Sequence, residues 1–191
     1  MVSMAVGIVS YDVPMHRKSV YSKIRSPIRG YTMMLSWSCY LFPWGHKDVL
    51  EKAITRANFD KDGNALPQKD RVRYSIAKFD GSDPQALQDM ITQSYDNMLA
   101  NIKESFRKSL EKADERGAED DAKNDILKRA RRHLKEMESL ALIFALTDNY
   151  SIALAAFSNQ IQAQSDLIKA KDAKEEEEEV EEEIEVEEEV V

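Results

Sequence analysis

The chain has 191 residues, 42% of them hydrophobic and 32% charged, which allows a packed core beside a large solvated surface. Its net charge of −8 averages unlike parts: Glu175 to Val191 hold twelve glutamates and no base, the preceding residues carry +4, and residues 1–80, with thirteen Lys/Arg against seven Asp/Glu, carry +6. One cysteine, Cys39, excludes an internal disulfide and suits a reducing, cytoplasmic setting.

Val6-Gly7-Ile8-Val9-Ser10-Tyr11 is short, β-branched and apolar, the pattern of a buried strand; it has neither the basic start nor the cleavage site of a signal peptide. Asp12-Val13-Pro14 ends it. A helix follows from about Met15 to Ile28, with Val20, Tyr21, Ile24 and Ile28 at helical spacing and Pro27 and Gly30 as stop signals. Tyr31 to Phe42 is strand-like again, long enough for two short strands or one bent hairpin, and Pro43-Trp44-Gly45 is a turn. A second helix covers Lys47 to Ala57 with Val49, Leu50, Ala53 and Ile54 inward. Asp60 to Asp70 is a polar loop, and Arg71 to Phe79 alternates as a strand. The order β-α-β-β-α-β predicts a ferredoxin-like head over residues 1–80.

Residues 81–173 form a helical extension, as a bundle or coiled coil. Asp83-Pro84 is a helix start with a capping carboxylate and proline at the first position. Leu87, Ile91, Tyr95, Met98, Ile102, Phe106 and Leu110 make one stripe, and Gly117 is a stop. Further helices are expected over about Asp120–Leu146 and Tyr150–Lys171. Such stripes pack on one another or on a partner, with Tyr95, Phe106, Phe144 and Phe157 as aromatic anchors. The most apolar stretch, Leu140 to Phe157, is interrupted by Thr147, Asp148 and Asn149, short of the roughly 20 apolar residues of a membrane span. Residues 174–191 repel themselves and are expected to be disordered. The fold class is therefore α+β: a head, a helical extension and a glutamate tail.

Asp60-Lys61-Asp62-Gly63-Asn64 resembles the start of a calcium loop, but its sixth and twelfth positions are Ala65 and Arg71 where glycine and a bidentate glutamate are required. His16, His46 and His133 share no ligand spacing, and no phosphate loop, nucleophile elbow or Cys-x-x-Cys occurs. The basic helix carries more information. His16, Arg17, Lys18, Lys23, Arg25 and Arg29 fall within a stretch that contains no acid. Such a cluster is either a solvated face or a set of phosphate contacts. Asp12, just past the first strand, is either a turn former or a ligand for a divalent ion. A single carboxylate holds magnesium poorly, and a symmetric dimer supplying a second copy improves the site.

Val9-Ser10-Tyr11-Asp12-Val13-Pro14 with its following bases, Gly30-Tyr31, Leu35-Ser36-Trp37-Ser38-Cys39-Tyr40-Leu41-Phe42-Pro43, and Arg71-Val72-Arg73-Tyr74 together resemble the small CRISPR-associated adaptation subunit. They are also similar to the related C-terminal domain of phenylacetate-type repressors. The resemblance spans about 80 residues. It implies a dimeric ferredoxin-like fold that clamps DNA, with Asp12 in the place of the metal ligand of members assigned magnesium-dependent nuclease activity. The reading is of a nucleic-acid-associated protein, DNA or RNA, in which Arg17, Lys18, Lys23, Arg25 and Arg29 contact phosphates. Asp12 is then the catalytic and magnesium-binding residue if the chain cleaves. The alternative is a non-enzymatic interaction protein that assembles, as a homodimer or with another protein, through its helices. The opposite charges of head and tail further predict that the tail weakens nucleic-acid binding by competing for the basic helix.

Overall fold

A computed structural model describes residues 5–36, 38–79, 83–118 and 120–189, with side chains through Lys171. Four strands and five α-helices follow one another as β1 (Val6–Asp12), α1 (Ser19–Ile28), β2 (Met33–Ser36), β3 (Cys39–Pro43), α2 (Lys47–Arg56), β4 (Arg73–Lys78), α3 (Pro84–Glu115), α4 (Asp120–Ile143) and α5 (Thr147–Glu189), with short 3-10 turns before α1, α2 and β4. The strands form one antiparallel sheet in the order β2-β3-β1-β4. The two helical crossovers, β1-α1-β2 and β3-α2-β4, therefore each pass over one strand. The stretch from Tyr31 to Phe42 resolves into two short strands. Ser38 takes a left-handed conformation (φ 61°) in their turn, and the register slips between Met34 and Ser36. Trp37 and the junction 80–82 lie outside the described residues.

Alternation along β1 and β3 sends Val9, Tyr11, Tyr40 and Phe42 to one face of the sheet. There they meet Val20, Ile24 and Ile28 of α1, Leu50 and Ile54 of α2, and Val72. Each large aliphatic side chain so buried contributes about 1.5–3 kcal/mol. Gly7 is required by its neighbour, since a Cβ there would stand 2.4 Å from the Phe42 ring. Met33 and Leu41 are also fully buried, so the sheet is covered on both faces. β4 is an edge strand. Tyr74, which stands opposite Tyr11 in the register, is exposed because an edge strand is covered less fully than a central one.

By compactness the described chain divides into one unit of residues 1–101 with 135–150, and another of residues 102–134 with 151–191. In the first unit the sequence-predicted cap is present: Asp83 Oδ1 accepts the Ala86 amide at 2.9 Å. Tyr95 donates to the Met137 carbonyl at 2.8 Å, and Tyr150 donates to Asp96 Oδ1 at 2.6 Å. In the second unit Phe106 meets Phe157 edge to face at 5.7 Å, among buried Leu127, Leu134, Leu154, Ile161 and Ile168. All four expected anchors, Tyr95, Phe106, Phe144 and Phe157, are buried within the chain itself. The backbone of α5 remains helical to Glu189, where the sequence predicts disorder from residue 174. Among the described residues, no helix is long and apolar enough to cross a membrane.

Candidate nucleic-acid interface

α1 and α2 lie side by side on one face of the sheet, and the strip between them is a groove of about 500 Å³. Its apolar lining is Val20, Pro27, Val49, Ala53, Ala57 and Phe59, and its polar lining is Arg17, Lys23, Lys52, Arg56, Asp60 and Lys61. Local spacing explains the arrangement. On α1 the inward stripe leaves Lys23 and Pro27, four residues apart, on the flank turned toward α2. On α2 Lys52 and Arg56, also four apart, stand beside Val49 and Ala53. Val49 and Phe59 remain 53% and 45% exposed, so the apolar floor is open to solvent.

The one acid of the lining is already used. Asp60 Oδ1 accepts the amides of Asp62 at 2.9 Å and Asn64 at 2.8 Å, and Oδ2 accepts Asn64 Nδ2 at 3.3 Å. The Asn64 backbone bond leads the causes that hold its carboxyl below the usual range. Gly63, at φ 84°, closes this turn. The segment that resembles the beginning of a calcium loop is thus a self-capped turn, both oxygens of Asp60 being bonded within it.

The five basic residues expected to contact phosphates divide into three groups. Arg17 is half-buried and structural: its guanidinium donates to the Asp70 carbonyl and to the Ala57 carbonyl, the latter at 3.1 Å. Arg29 pairs through Nε with Glu136 at 3.1 Å, which ties α1 to α4. Lys18, Lys23 and Arg25 are exposed, and no acidic side chain among the described residues pairs with them. Of these, only Lys23 lines the groove. Arg25 lies close enough to act on the buried Tyr11 hydroxyl, whose pKa is raised chiefly by burial. Arg17 and Arg29 thus differ from the other three in having partners within the chain that lie far away in sequence.

Sequence reasoning missed Lys52, Arg56 and Lys61, which carry no acidic partner among the described residues and complete the rim. The available signal was the +6 balance of residues 1–80, only part of which belongs to α1. The bases of α2 went unread because Asp48 and Glu51 stand among them. Glu51, however, turns away, pairing with Lys47 at 3.2 Å and accepting the Tyr74 hydroxyl at 3.1 Å.

Asp12 is exposed at the end of β1, opposite Arg73 of β4 in the strand register. Among the described residues, no group of three His, Cys, Asp or Glu side chains is placed to hold a metal ion. Asp12 thus offers magnesium one carboxylate with a cation across the ladder, and a fuller ligand set requires a second copy. His16 Nε2 meets Asp70 Oδ1 at 2.8 Å, beside Arg17 in the 3-10 turn that precedes α1.

Compared with models of protein families, with characterised proteins and with solved structures, the chain finds no match. What fold and site define together is an antiparallel α/β head whose helical face presents a groove with an apolar floor and a basic rim.

Proposed function

We propose that the head is a ferredoxin-like domain that binds the backbone of DNA or RNA through the face formed by α1 and α2. The order β2-β3-β1-β4, with both crossovers passing over one strand, supports the fold assignment and agrees with the resemblance to the CRISPR adaptation subunit. The observation that carries the function is the groove rim: Lys23, Lys52, Arg56 and Lys61 converge there, without an acidic partner among the described residues. Cations held together in this way repel one another, and a row of phosphates relieves that repulsion while releasing counterions. Lys18 and Arg25 extend the same charge along α1.

The rival reading, assembly through the helical extension, is weakened by the burial of its aromatic stripe within the chain. Magnesium-dependent cleavage through Asp12 is the least supported part of the family resemblance, since Arg73 opposes that carboxylate. Titration of the full chain with labelled duplex DNA and duplex RNA over a range of salt tests the reading. Affinity should fall with a log–log slope of about −0.9 per DNA phosphate contacted, and Lys23→Glu with Lys52→Glu should abolish binding. Salt-independent binding, or binding unaltered by both reversals, would reject it. Loss of any metal-dependent cleavage in Asp12→Asn would assign catalysis to Asp12.

A further inference from the structure

A phosphate backbone offers nothing to the apolar floor of the α1/α2 groove, and that floor contains an aromatic ring. Of the apolar lining only Pro27, Val49 and Phe59 are exposed, while Val20 is buried and Ala53 and Ala57 are half-buried. Phe59 is 45% exposed and pairs with no other aromatic ring among the described residues.

The backbone that carries this ring is held firmly. The Phe59 amide donates to the Arg56 carbonyl at 3.4 Å, closing a turn after α2, and Phe59 then faces Ala65 in an isolated antiparallel bridge. On either side of that bridge the Leu66 amide donates to the Asn58 carbonyl at 2.9 Å and the Asp60 amide to the Asn64 carbonyl at 2.9 Å. Asn58 is anchored in turn: its Nδ2 donates to the Val72 carbonyl at 3.2 Å, and its Oδ1 accepts the Val72 amide at 2.6 Å. A ring presented by a fixed frame loses little freedom when a flat group settles on it.

Cations flank the ring on the groove side. Arg56 stands three residues before it and Lys61 two after, and Lys23 and Lys52 line the same groove. Asp48 and Glu51 line instead a second hollow along α2, of which Phe59 is also part. A polyanion is therefore favoured on the α1 side of the ring. A chain of phosphates that carries flat, unpaired nucleobases matches both the rim and the ring. In a duplex the nucleobases are stacked and paired with one another, whereas a single strand offers their faces to an aromatic side chain. An acidic amphipathic helix fits less well, because it docks through a row of apolar anchors at i, i+3 or i+4 and i+7, and this floor exposes one ring, one valine and one proline. We infer that the groove is a single-strand site, in which an unpaired nucleobase stacks on Phe59 while neighbouring phosphates lie against Lys23, Lys52, Arg56 and Lys61. The inference rests on the reading of this face as nucleic-acid-binding and adds the form of nucleic acid that the groove takes.

The test uses the full chain at low salt and labelled DNA probes of about 12 nucleotides, within the span that such grooves occupy. The probes are a thymidine single strand, an abasic strand of the same length, and a mixed-sequence duplex. Wild type should bind the thymidine strand at least about fivefold more tightly than the abasic strand, the lower end of what one stacked nucleobase contributes. Phe59→Ala should remove most of that advantage and cost much less on the abasic strand, where the ring has nothing to stack on. Phe59→Trp should keep the advantage, and the emission of the new indole, measured against the wild-type background of Trp37 and Trp44, should be quenched by the thymidine strand and not by the abasic one. Circular dichroism checks the fold of both variants. Should Phe59→Ala unfold, the quenching of Phe59→Trp decides alone.

Equal affinity of wild type for the thymidine and abasic strands, or an equal loss on both from Phe59→Ala, would overturn the inference. Backbone binding would still stand in that case if Lys23→Glu with Lys52→Glu abolishes duplex binding. If none of the probes binds, both readings fall together. A shift of the Phe59→Trp emission by an acidic, leucine-bearing helical peptide would then make the groove a protein-docking surface instead.

Discussion

The head and the helical unit of residues 102–134 with 151–171 are both rich in charge, yet they arrange part of it differently. Several bases of the helical unit pair with acids close by: Arg107 with Glu104 at 2.8 Å and with Glu111, Lys108 with Glu104 at 3.2 Å, Lys128 with Asp125 at 3.3 Å and Lys123 with Asp114 at 2.7 Å. Most of these are i,i+3 or i,i+4 neighbours, so those pairs form with the helix itself. On the α1/α2 face of the head, Lys18, Lys23, Arg25, Lys52, Arg56 and Lys61 have no acidic partner among the described residues. A charge balanced within its own helix supports structure modestly. A charge left unbalanced beside an apolar groove is available to something outside the chain.

The largest effect that could break this comparison is on binding. Lys23→Glu with Lys52→Glu should lower duplex affinity at low salt by at least about a hundredfold, with unfolding midpoints within about 0.5 kcal/mol of wild type. Reversal of Arg107 should leave duplex binding unchanged. Equal losses from both reversals would show that only overall charge matters.

Arg17 sharpens the division inside the head. Removing its guanidinium in Arg17→Ala leaves the Asp70 and Ala57 carbonyls without their donor, at a cost of about 1–3 kcal/mol in urea unfolding. The salt slope of duplex binding should not change. A slope reduced by about one without loss of stability would return Arg17 to the phosphate-contact set.

A smaller effect is expected at Tyr95. Tyr95→Phe deletes the bond to the Met137 carbonyl and should cost about 0.5–1.5 kcal/mol by the same urea measurement, with duplex binding unaffected.

The smallest concerns Glu104. The hydrogen bond from Arg107, then that from Lys108, holds its carboxyl down to about 2. A depressed folded-state value contributes stability above the ordinary carboxyl value of about 4.3, and this is lost as pH falls toward about 2. Glu104→Gln should flatten the decline in stability between about pH 5 and pH 2. The difference should shrink in high salt, because the group is exposed. An unchanged acid profile at low salt would mean that the pair forms equally in the unfolded chain.

Much of the head could be read from residues in order. Val6 to Tyr11 is too apolar and β-branched to be anything but an interior strand, and the inward stripe of Val20, Ile24 and Ile28 is visible by counting. The cap at Asp83 was legible because capping involves only neighbours. The exposure of Tyr74 was not legible, because β4 alternates like an inner strand and only the sheet order makes it an edge. The site was half visible. A run of bases without acids marks α1, but nothing local distinguishes Lys23, which faces the groove, from Arg17, whose tip reaches the Ala57 and Asp70 carbonyls.

By itself, then, the sequence determined the local periods: which segments are strands or helices, where caps and turns fall, and that the chain divides its charge between a basic head and an acidic end. Those features depend on contacts between residues a few positions apart. Tertiary structure alone decided that α1 and α2 pack side by side, so that Lys23, Lys52, Arg56 and Lys61 share one rim while Asp60 and Glu51 are occupied elsewhere. A side chain as long as arginine or lysine is assigned by what lies at its tip, and the packing of distant segments sets that.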